Sequence, residues 1–371
     1  MFEYVYIVAG FMIATALSRT MIPHILVISK QKRLYDEPDQ RKQHLQPIPR
    51  LGGVAFMPSL IISLSVIAAS SFVWSDGLAV YQLIQLFALL AGMTLLFMTG
   101  LTDDLVQVGY RKKFLIQILC ASALPLSGLS IQTLYGLFGV EEIPLWMAAG
   151  LTILLTVFIT NAINLIDGVD GLASGLMILC CGYLAVLFAI EGHWLYATVA
   201  SCTVGVLIPF YTYNVFGTVE RGTKIFMGDT GSLTIGFLAS FLTVAYCGNN
   251  DADRIVENPL MVGFSLLMVP CLDVLRVMLH RARKGRPMFL PDRSHIHHKL
   301  IDAGLTPRLT VAALLALSSF YLVMNFLLQW VMNIYLLIVL DILSWTVLNM
   351  ALTHYIWKKQ RHMNITNSSI S

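Results

Sequence analysis

Four short segments hold the side chains in this sequence most able to do chemistry, and they carry oxygen ligands and cations rather than thiols. The first is Asp103-Asp104, followed by Arg111, Lys112 and Lys113. Adjacent carboxylates repel, so such a pair attracts a cation or raises one pKa toward that of a general base; the plain alternative is a solvated loop. The second, Asn161-Ala-Ile-Asn164-Leu-Ile-Asp167-Gly168-Val-Asp170-Gly171, repeats an oxygen-bearing side chain at every third residue, and its two Asp-Gly steps predict a turn after Asn164. Amides and carboxylates suit Mg²⁺, a hard cation that keeps water for substrate phosphates, although a capped helix end uses the same residue types. The third, Phe226-Met227-Gly228-Asp229-Thr230-Gly231-Ser232, combines glycines that let a phosphate approach the backbone with the free N–H groups of a helix start. Asp229 could equally be only the N-cap of that helix.

The fourth segment, Pro291-Asp292-Arg293-Ser294-His295-Ile296-His297-His298-Lys299, follows Arg281, Arg283, Lys284 and Arg286. Three imidazoles so close could bind a transition metal, but no cysteine joins them and the other clusters favour a hard cation. Donors to a phosphate or sugar fit better. The preference for positive charge on the cytoplasmic side of a membrane accounts for Arg281 to Arg286, but not for the histidines.

The elements that must position these groups are membrane helices. Of the 371 residues, 57% are hydrophobic and 12% charged, with a mean hydropathy of +0.74; soluble domains carry roughly 25% charged residues. This excludes a cytosolic enzyme, a secreted disulfide scaffold and a disordered linker. The net charge of +3 is too small to indicate nucleic acid. Cys120, Cys180, Cys181, Cys202, Cys247 and Cys271 lie in apolar stretches without a C-x-x-C pair and read as buried membrane thiols. The N-terminal run has no basic region before it and reads as a retained first span.

An all-α, polytopic chain is expected, with about eleven spans at roughly 4–28, 52–73, 80–100, 114–134, 143–163, 171–190, 194–214, 231–247, 258–279, 308–329 and 331–357. The fourth contains Ser122, Pro125, Ser127 and Ser130 and is expected to be broken or tilted. With the N-terminus outside and the C-terminus inside, 21 of the 24 Lys and Arg residues fall on the cytoplasmic side. Only Arg254 falls outside, while Arg19 and Arg276 lie within spans. Residues 1–357 then form one transmembrane domain, with active-site loops at 29–51, 101–113, 163–171, 215–231 and 280–308, and residues 358–371 form a cytoplasmic tail. All four clusters share one membrane face. An ion-coupled transporter would instead place ionisable groups near the midplane. Those within spans are few: Asp273 and Arg276, read as a structural pair, and Asp341, given no role.

A carboxylate pair, an oxygen-rich Mg²⁺ site, a phosphate-friendly glycine turn and cationic donors are the parts of phosphoryl transfer. Placed where lipid headgroups meet cytosol, they describe an enzyme that joins a cytosolic phosphorylated metabolite to a membrane lipid.

At these residues the chain resembles the polyprenyl-phosphate N-acetylhexosamine-1-phosphate transferases, which include phospho-MurNAc-pentapeptide transferase and the WecA-type UDP-GlcNAc enzymes. The resemblance runs from Arg41-Lys42-x-His44 and Pro47-Ile-Pro-Arg50-Leu-Gly52-Gly53 through LTDD, NAINLIDGVDG and FMGDTGS to HIHH. It implies ten or eleven spans and transfer of a sugar 1-phosphate from a UDP-sugar to a polyprenyl phosphate, with release of UMP. It also implies Mg²⁺, with Mn²⁺ as a substitute. By resemblance Asp229 is the main metal ligand, with Asn164 and Asp167 beside the metal and diphosphate. Asp103 and Asp104 are expected near the lipid phosphate, one as a candidate base. Asp167, His297 and His298 complete the catalytic set, the histidine pair lying near the diphosphate and sugar. Asp170 and Asn214 match positions near the nucleotide, and Arg41, His44, Lys224, Arg293 and His295 are further substrate-binding positions. His295 stands where the pentapeptide transferases have proline, and the form D-R-S-H-I-H-H resembles the WecA and teichoic-acid branch, which favours GlcNAc over MurNAc-pentapeptide. The expected partners are the UDP-sugar, the lipid and the bacterial cytoplasmic membrane, with a homodimer left open.

Overall fold

In lipid a backbone N–H or C=O without a partner costs several kcal/mol, so apolar runs of this length must satisfy their own hydrogen bonds as helices. The computed structural model describes residues 2–36, 47–74, 77–248, 254–285 and 294–368. Its helices are α1 (Phe2–Gln31), α2 (Phe56–Trp74), α3 (Val80–Val106), α4 (Tyr110–Leu126), α5 (Leu145–Ile166), α6 (Leu172–Ile190), α7 (Trp194–Phe216) and α8 (Gly228–Gly248). Then follow α9 (Pro259–Phe264), which continues through a 3-10 turn into α10 (Met268–Arg283), α11 (Ile296–Ala303), α12 (Pro307–Leu328) and α13 (Ile334–Ser368). The described sheet is one antiparallel pair, β1 (Tyr35–Asp36) with β2 (Ile48–Pro49).

Among the described residues, ten helices are long and apolar enough to cross a membrane, α9 and α10 counting as one. The expected fourth span is the one that differs. It appears as α4, 17 residues long, because Pro125 sits in its last turn and Gly128 turns left-handed at φ +87°. Its neighbours nevertheless fix its direction. Gly100 of α3 faces Thr230 and Gly92 faces Phe237, so α3 and α8 run antiparallel. Asn164 meets Ser232 at 2.9 Å and Ser240 reaches the Thr156 carbonyl at 3.3 Å, so α5 and α8 do too. Helices α3 and α5 are therefore parallel, and α4 carries the chain back between them, with Gln117 beside Asn161 at one end and Ile131 bonded to Thr152 past the other.

Helix α8 is the axis of the bundle, buried from Thr230 to Cys247. Small side chains let neighbours approach it closely, as where Gly236 meets the Thr160 backbone. Its N-terminus faces the ends of α3, α5 and α7 and the starts of α2 and α6. The first three segments that the sequence marks for chemistry therefore lie at one end of the bundle, and His297, packed on Gly168, brings α11 to the same end. Helix α1 starts at the opposite end, whereas the C-terminal half of α13 packs on α11 at the site end, where Lys359 donates to the Ala303 carbonyl at 3.0 Å. Asp341, given no role by the sequence, accepts from Asn325 at 3.1 Å and ties α13 to α12.

Candidate active site

The site is built on the first turn of α8, whose N–H groups have no partners inside the helix. Asp104, at the end of α3, supplies them from a different span. Its Oδ1 accepts the Asp229 N–H at 3.0 Å, and its Oδ2 accepts the Thr230 N–H at 2.9 Å and hydroxyl at 2.6 Å. Arg50 completes the set with Nη2 at 2.9 Å from Oδ1. Arg50 is placed by its own backbone, since Phe226 N–H donates to the Pro49 carbonyl and Gly52 N–H to the Phe226 carbonyl, stitching the two segments together. Gly228 stands between them at φ +70°, where a Cβ would lie 2.2 Å from the Arg50 carbonyl oxygen.

Asp103, one residue earlier, points elsewhere. Lys113 of α4 lies 3.2 Å from its Oδ2 and 2.8 Å from Asp229 Oδ2, so a single ammonium bridges the two carboxylates. Burial pulls the Lys113 pKa down, but Asp229 and Asp103 outweigh it and hold the amine above its ordinary value. Asn164 and Asp167 come from the last turn and C-cap of α5, and Asn164 donates to Ser232 of α8. Burial first, then the carboxylates of Asp170, Asp229 and Asp104, push Asp167 well above the usual carboxylate range. Asp170 pairs with Lys224 at 2.6 Å. Asn214 accepts the Gly171 N–H at 2.6 Å and donates to the Ile225 carbonyl and to Asp170, so it ties the turn before α6 to the segment before α8.

These groups surround one cavity of about 600 Å³, with Arg50, Asp104, Asn164, Asp167, Asp170, Asn214, Lys224, Asp229 and His298 in its wall. His297 stands behind His298. It is 2% exposed, and its Nε2 approaches Gly168 so closely that a Cβ there would lie 2.7 Å away. Burial and then the neighbouring His298 lower its pKa to about 3, so the imidazole is neutral near pH 7. His295 turns away from the cavity and its Nδ1 meets Asp273 at 2.8 Å. The expected Asp273 and Arg276 pair is present at 2.9 Å.

The donor set is suited to a hard divalent cation. Among the described residues no three acidic, histidine or cysteine side chains close into a ready-made cage. Asp229 and Asp167 with the Asn164 amide would leave most of the coordination to water and substrate phosphate, as Mg²⁺ prefers. Four carboxylates, Asp104, Asp167, Asp170 and Asp229, against the two cationic side chains Arg50 and Lys224 in the cavity wall favour a cation there.

The structure thus brings Asp104, Asn164, Asp167, Asp170, Asn214, Lys224, Asp229 and His298 to one cavity. Asp103 stands beside it through Lys113, His297 stands behind it, and His295 is outside its wall. Arg41, His44 and Arg293 lie outside the described residues. Sequence reasoning passed over Arg50 and Lys113 as site residues. Both sit in segments singled out for other reasons, and only the packing of β2 and α4 against α8 gives them their partners.

The profile of glycosyl transferase family 4 matches residues 86–247, from α3 to α8. A probable undecaprenyl-phosphate N-acetylglucosaminyl 1-phosphate transferase from Bacillus subtilis is 32% identical over 306 residues, which cover 82% of this chain and 80% of that protein. An undecaprenyl-phosphate alpha-N-acetylglucosaminyl 1-phosphate transferase from Yersinia pestis is 32% identical over 310 residues, 81% of this chain and 80% of its own. The decaprenyl-phosphate N-acetylglucosaminephosphotransferase of Mycobacterium tuberculosis is 33% identical over 297 residues, 74% of this chain and 70% of its own. The profile covers the helices that contribute most of the cavity wall, and the similarity to these relatives extends over most of both chains, so the chain belongs to glycosyl transferase family 4.

Proposed function

We propose that this protein transfers GlcNAc-1-phosphate from UDP-GlcNAc to undecaprenyl phosphate, releasing UMP and starting a cell-envelope polysaccharide. The observation that carries the reading is the meeting of Asp104, Asn164, Asp167, Asp229 and His298 in one cavity at one end of the bundle. A charged diphosphate can enter there from water while a lipid phosphate arrives from the bilayer edge. The names of the relatives favour GlcNAc and an undecaprenyl or decaprenyl carrier over MurNAc-pentapeptide. Collection of the carboxylates at one end of the bundle does not favour a transporter.

The reaction is an in-line displacement. A lipid phosphate oxygen attacks the β-phosphorus of the UDP-sugar, and the bond from that phosphorus to the bridging oxygen breaks, with UMP leaving. The nucleophile needs little help, since the second pKa of a phosphate monoester is near 6. Mg²⁺, with Mn²⁺ as a substitute, would be held by Asp229 with Asn164 and Asp167, and would neutralise the diphosphate when bound. Lys224 and His298, in the wall of the same cavity, offer donors for charge that gathers on the departing UMP. Lys113 keeps Asp103 and Asp229 close without mutual repulsion. The site end is the cytoplasmic face of a bacterial inner membrane, and α4 makes the eleventh crossing, with the N-terminus outside. The basic residues of the loops support that orientation.

Membranes containing the protein, incubated with undecaprenyl phosphate and separately labelled UDP-sugars, should yield a lipid-linked GlcNAc diphosphate identified by mass spectrometry. Transfer from UDP-MurNAc-pentapeptide but not from any UDP-HexNAc would sink this assignment.

A further inference from the structure

Asp104 is not the only carboxylate that caps a helix from another span. Helix α11, which carries His297 and His298, begins at His295 in an extended conformation (φ −62°, ψ 154°), with no cap from its own side chains. Its first N–H, on Ile296, donates instead to Asp273 Oδ1 of α10 at 2.9 Å. Asp273 Oδ2 meets His295 Nδ1 at 2.8 Å. Arg276, one turn further along α10, donates to Asp273 Oδ1 and also to the Ser294 carbonyl. The carboxylate is 1% exposed, an environment that tolerates its charge only because donors surround it. His295 in turn lies parallel to His297, with ring centroids 5.7 Å apart and planes 5° apart. His297 packs on Gly168, in the turn that carries Asp167 and Asp170.

We infer that Asp273, Arg276 and His295 form a clamp that positions the histidine helix against the Asp167-Gly168 turn, and that His295 is a positioning residue, not a substrate ligand. The clamp is built from geometry alone: two side chains and one backbone N–H meet at one carboxylate, Arg276 also holds the Ser294 carbonyl, and the ring that would otherwise reach for substrate faces that carboxylate instead of the cavity. A misplacement of about 1 Å at a reacting centre can lower turnover by about 100-fold. This is the scale on which the clamp acts through His297 and His298. The inference rests on the transferase reading only for its kinetic assay.

The test uses the full-length protein in nanodiscs, with Asp273→Leu, Asp273→Asn, His295→Asn, His297→Ala and the double variant Asp273→Leu/His297→Ala. Asp273→Leu and His297→Ala should each lower kcat about 30-fold or more, and the double variant should fall no further than about threefold below the weaker single, because residues acting as one unit are not additive. Asp273→Asn keeps an acceptor for the Ile296 N–H and should recover part of the loss. His295→Asn can still donate to Asp273 and should leave KM for the UDP-sugar unchanged. Independently of activity, hydrogen exchange should show the Ile296 amide deprotected in Asp273→Leu, while α8 amides stay protected. Wild-type kcat in Asp273→Leu, multiplicative losses in the double variant, a raised KM for the UDP-sugar in His295→Asn, or an Ile296 amide that stays protected would each overturn the clamp. A wild-type protein that transfers no sugar phosphate overturns the transferase reading instead, and the exchange measurement then still decides the clamp.

Discussion

Asp104 Oδ2 accepts both the backbone N–H of Thr230 at 2.9 Å and its side-chain hydroxyl at 2.6 Å. One residue of α3 thereby fixes the start of α8 and with it the position of Asp229. The adjacent carboxylate, Asp103, is turned toward Lys113 and makes no such cap. Two neighbouring aspartates that look alike in sequence therefore face different partners, and substitutions should separate them.

Asp104→Ala leaves the Arg50 guanidinium and the first N–H groups of α8 without their acceptor. Loss of one partner of a buried ion pair costs about 3 kcal/mol or more, so the melting temperature of the detergent-solubilised protein should fall along with activity. Asp103→Asn keeps the hydrogen bond from Val108 N–H to its Oδ1 and should lose turnover with little change in melting temperature. Equal thermal losses in the two variants, read by scanning fluorimetry, would contradict this division.

Asp229→Asn should abolish transfer, and excess Mg²⁺ should restore it poorly, because a neutral amide is a weaker ligand for a hard cation. Under the proposed single displacement by the lipid phosphate, labelled UMP should not exchange into the UDP-sugar pool in rigorously lipid-free wild-type enzyme. Exchange that disappears in Asp103→Asn or Asp104→Asn would point to a phospho-enzyme and against a single displacement.

His297 contributes a pH dependence of stability with a definite sign. Its pKa falls from 6.5 to about 3 in the folded protein, burial being the first cause and His298 the second. Below pH 6.5 the unfolded chain therefore takes up a proton that the folded one refuses, and stability declines as pH falls from 6.5 toward 3. His297→Gln should flatten that part of the profile of melting temperature against pH. An unchanged acid limb in the variant would show that the imidazole is not buried as a neutral ring.

Orientation can be read with cysteines, because five of the six native thiols are buried. Arg111 is exposed at the site end, and Val140 is 37% exposed at the opposite end. In intact cells a membrane-impermeant thiol reagent should label Val140→Cys and spare Arg111→Cys. The reverse pattern would place Asp103, Asp167, Asp229 and His297 outside the cell.

The sequence by itself was enough to establish that the chain is a helical membrane protein, roughly where most spans lie, and that its reactive groups fall into four clusters. The reason is that lipid imposes a one-dimensional rule: a run of about 20 apolar residues must close its own hydrogen bonds, and the polar segments between runs stand out against it. The Asp-Gly turn after Asn164, the helix start at Gly228 and the Asp273–Arg276 pair are local features and were legible for the same reason. The jobs of individual residues within the clusters were not. Only the antiparallel packing of α3 on α8 distinguishes Asp104, the cap, from Asp103, the partner of Lys113. Only the approach of α10 to α11 turns His295 toward Asp273 and leaves His298 in the cavity wall. Residues 125 or 22 apart in the chain meet in these contacts, and which oxygen receives which proton is decided by helix register and tilt, which depend on how neighbouring helices pack and are not written in the hydropathy of any one segment.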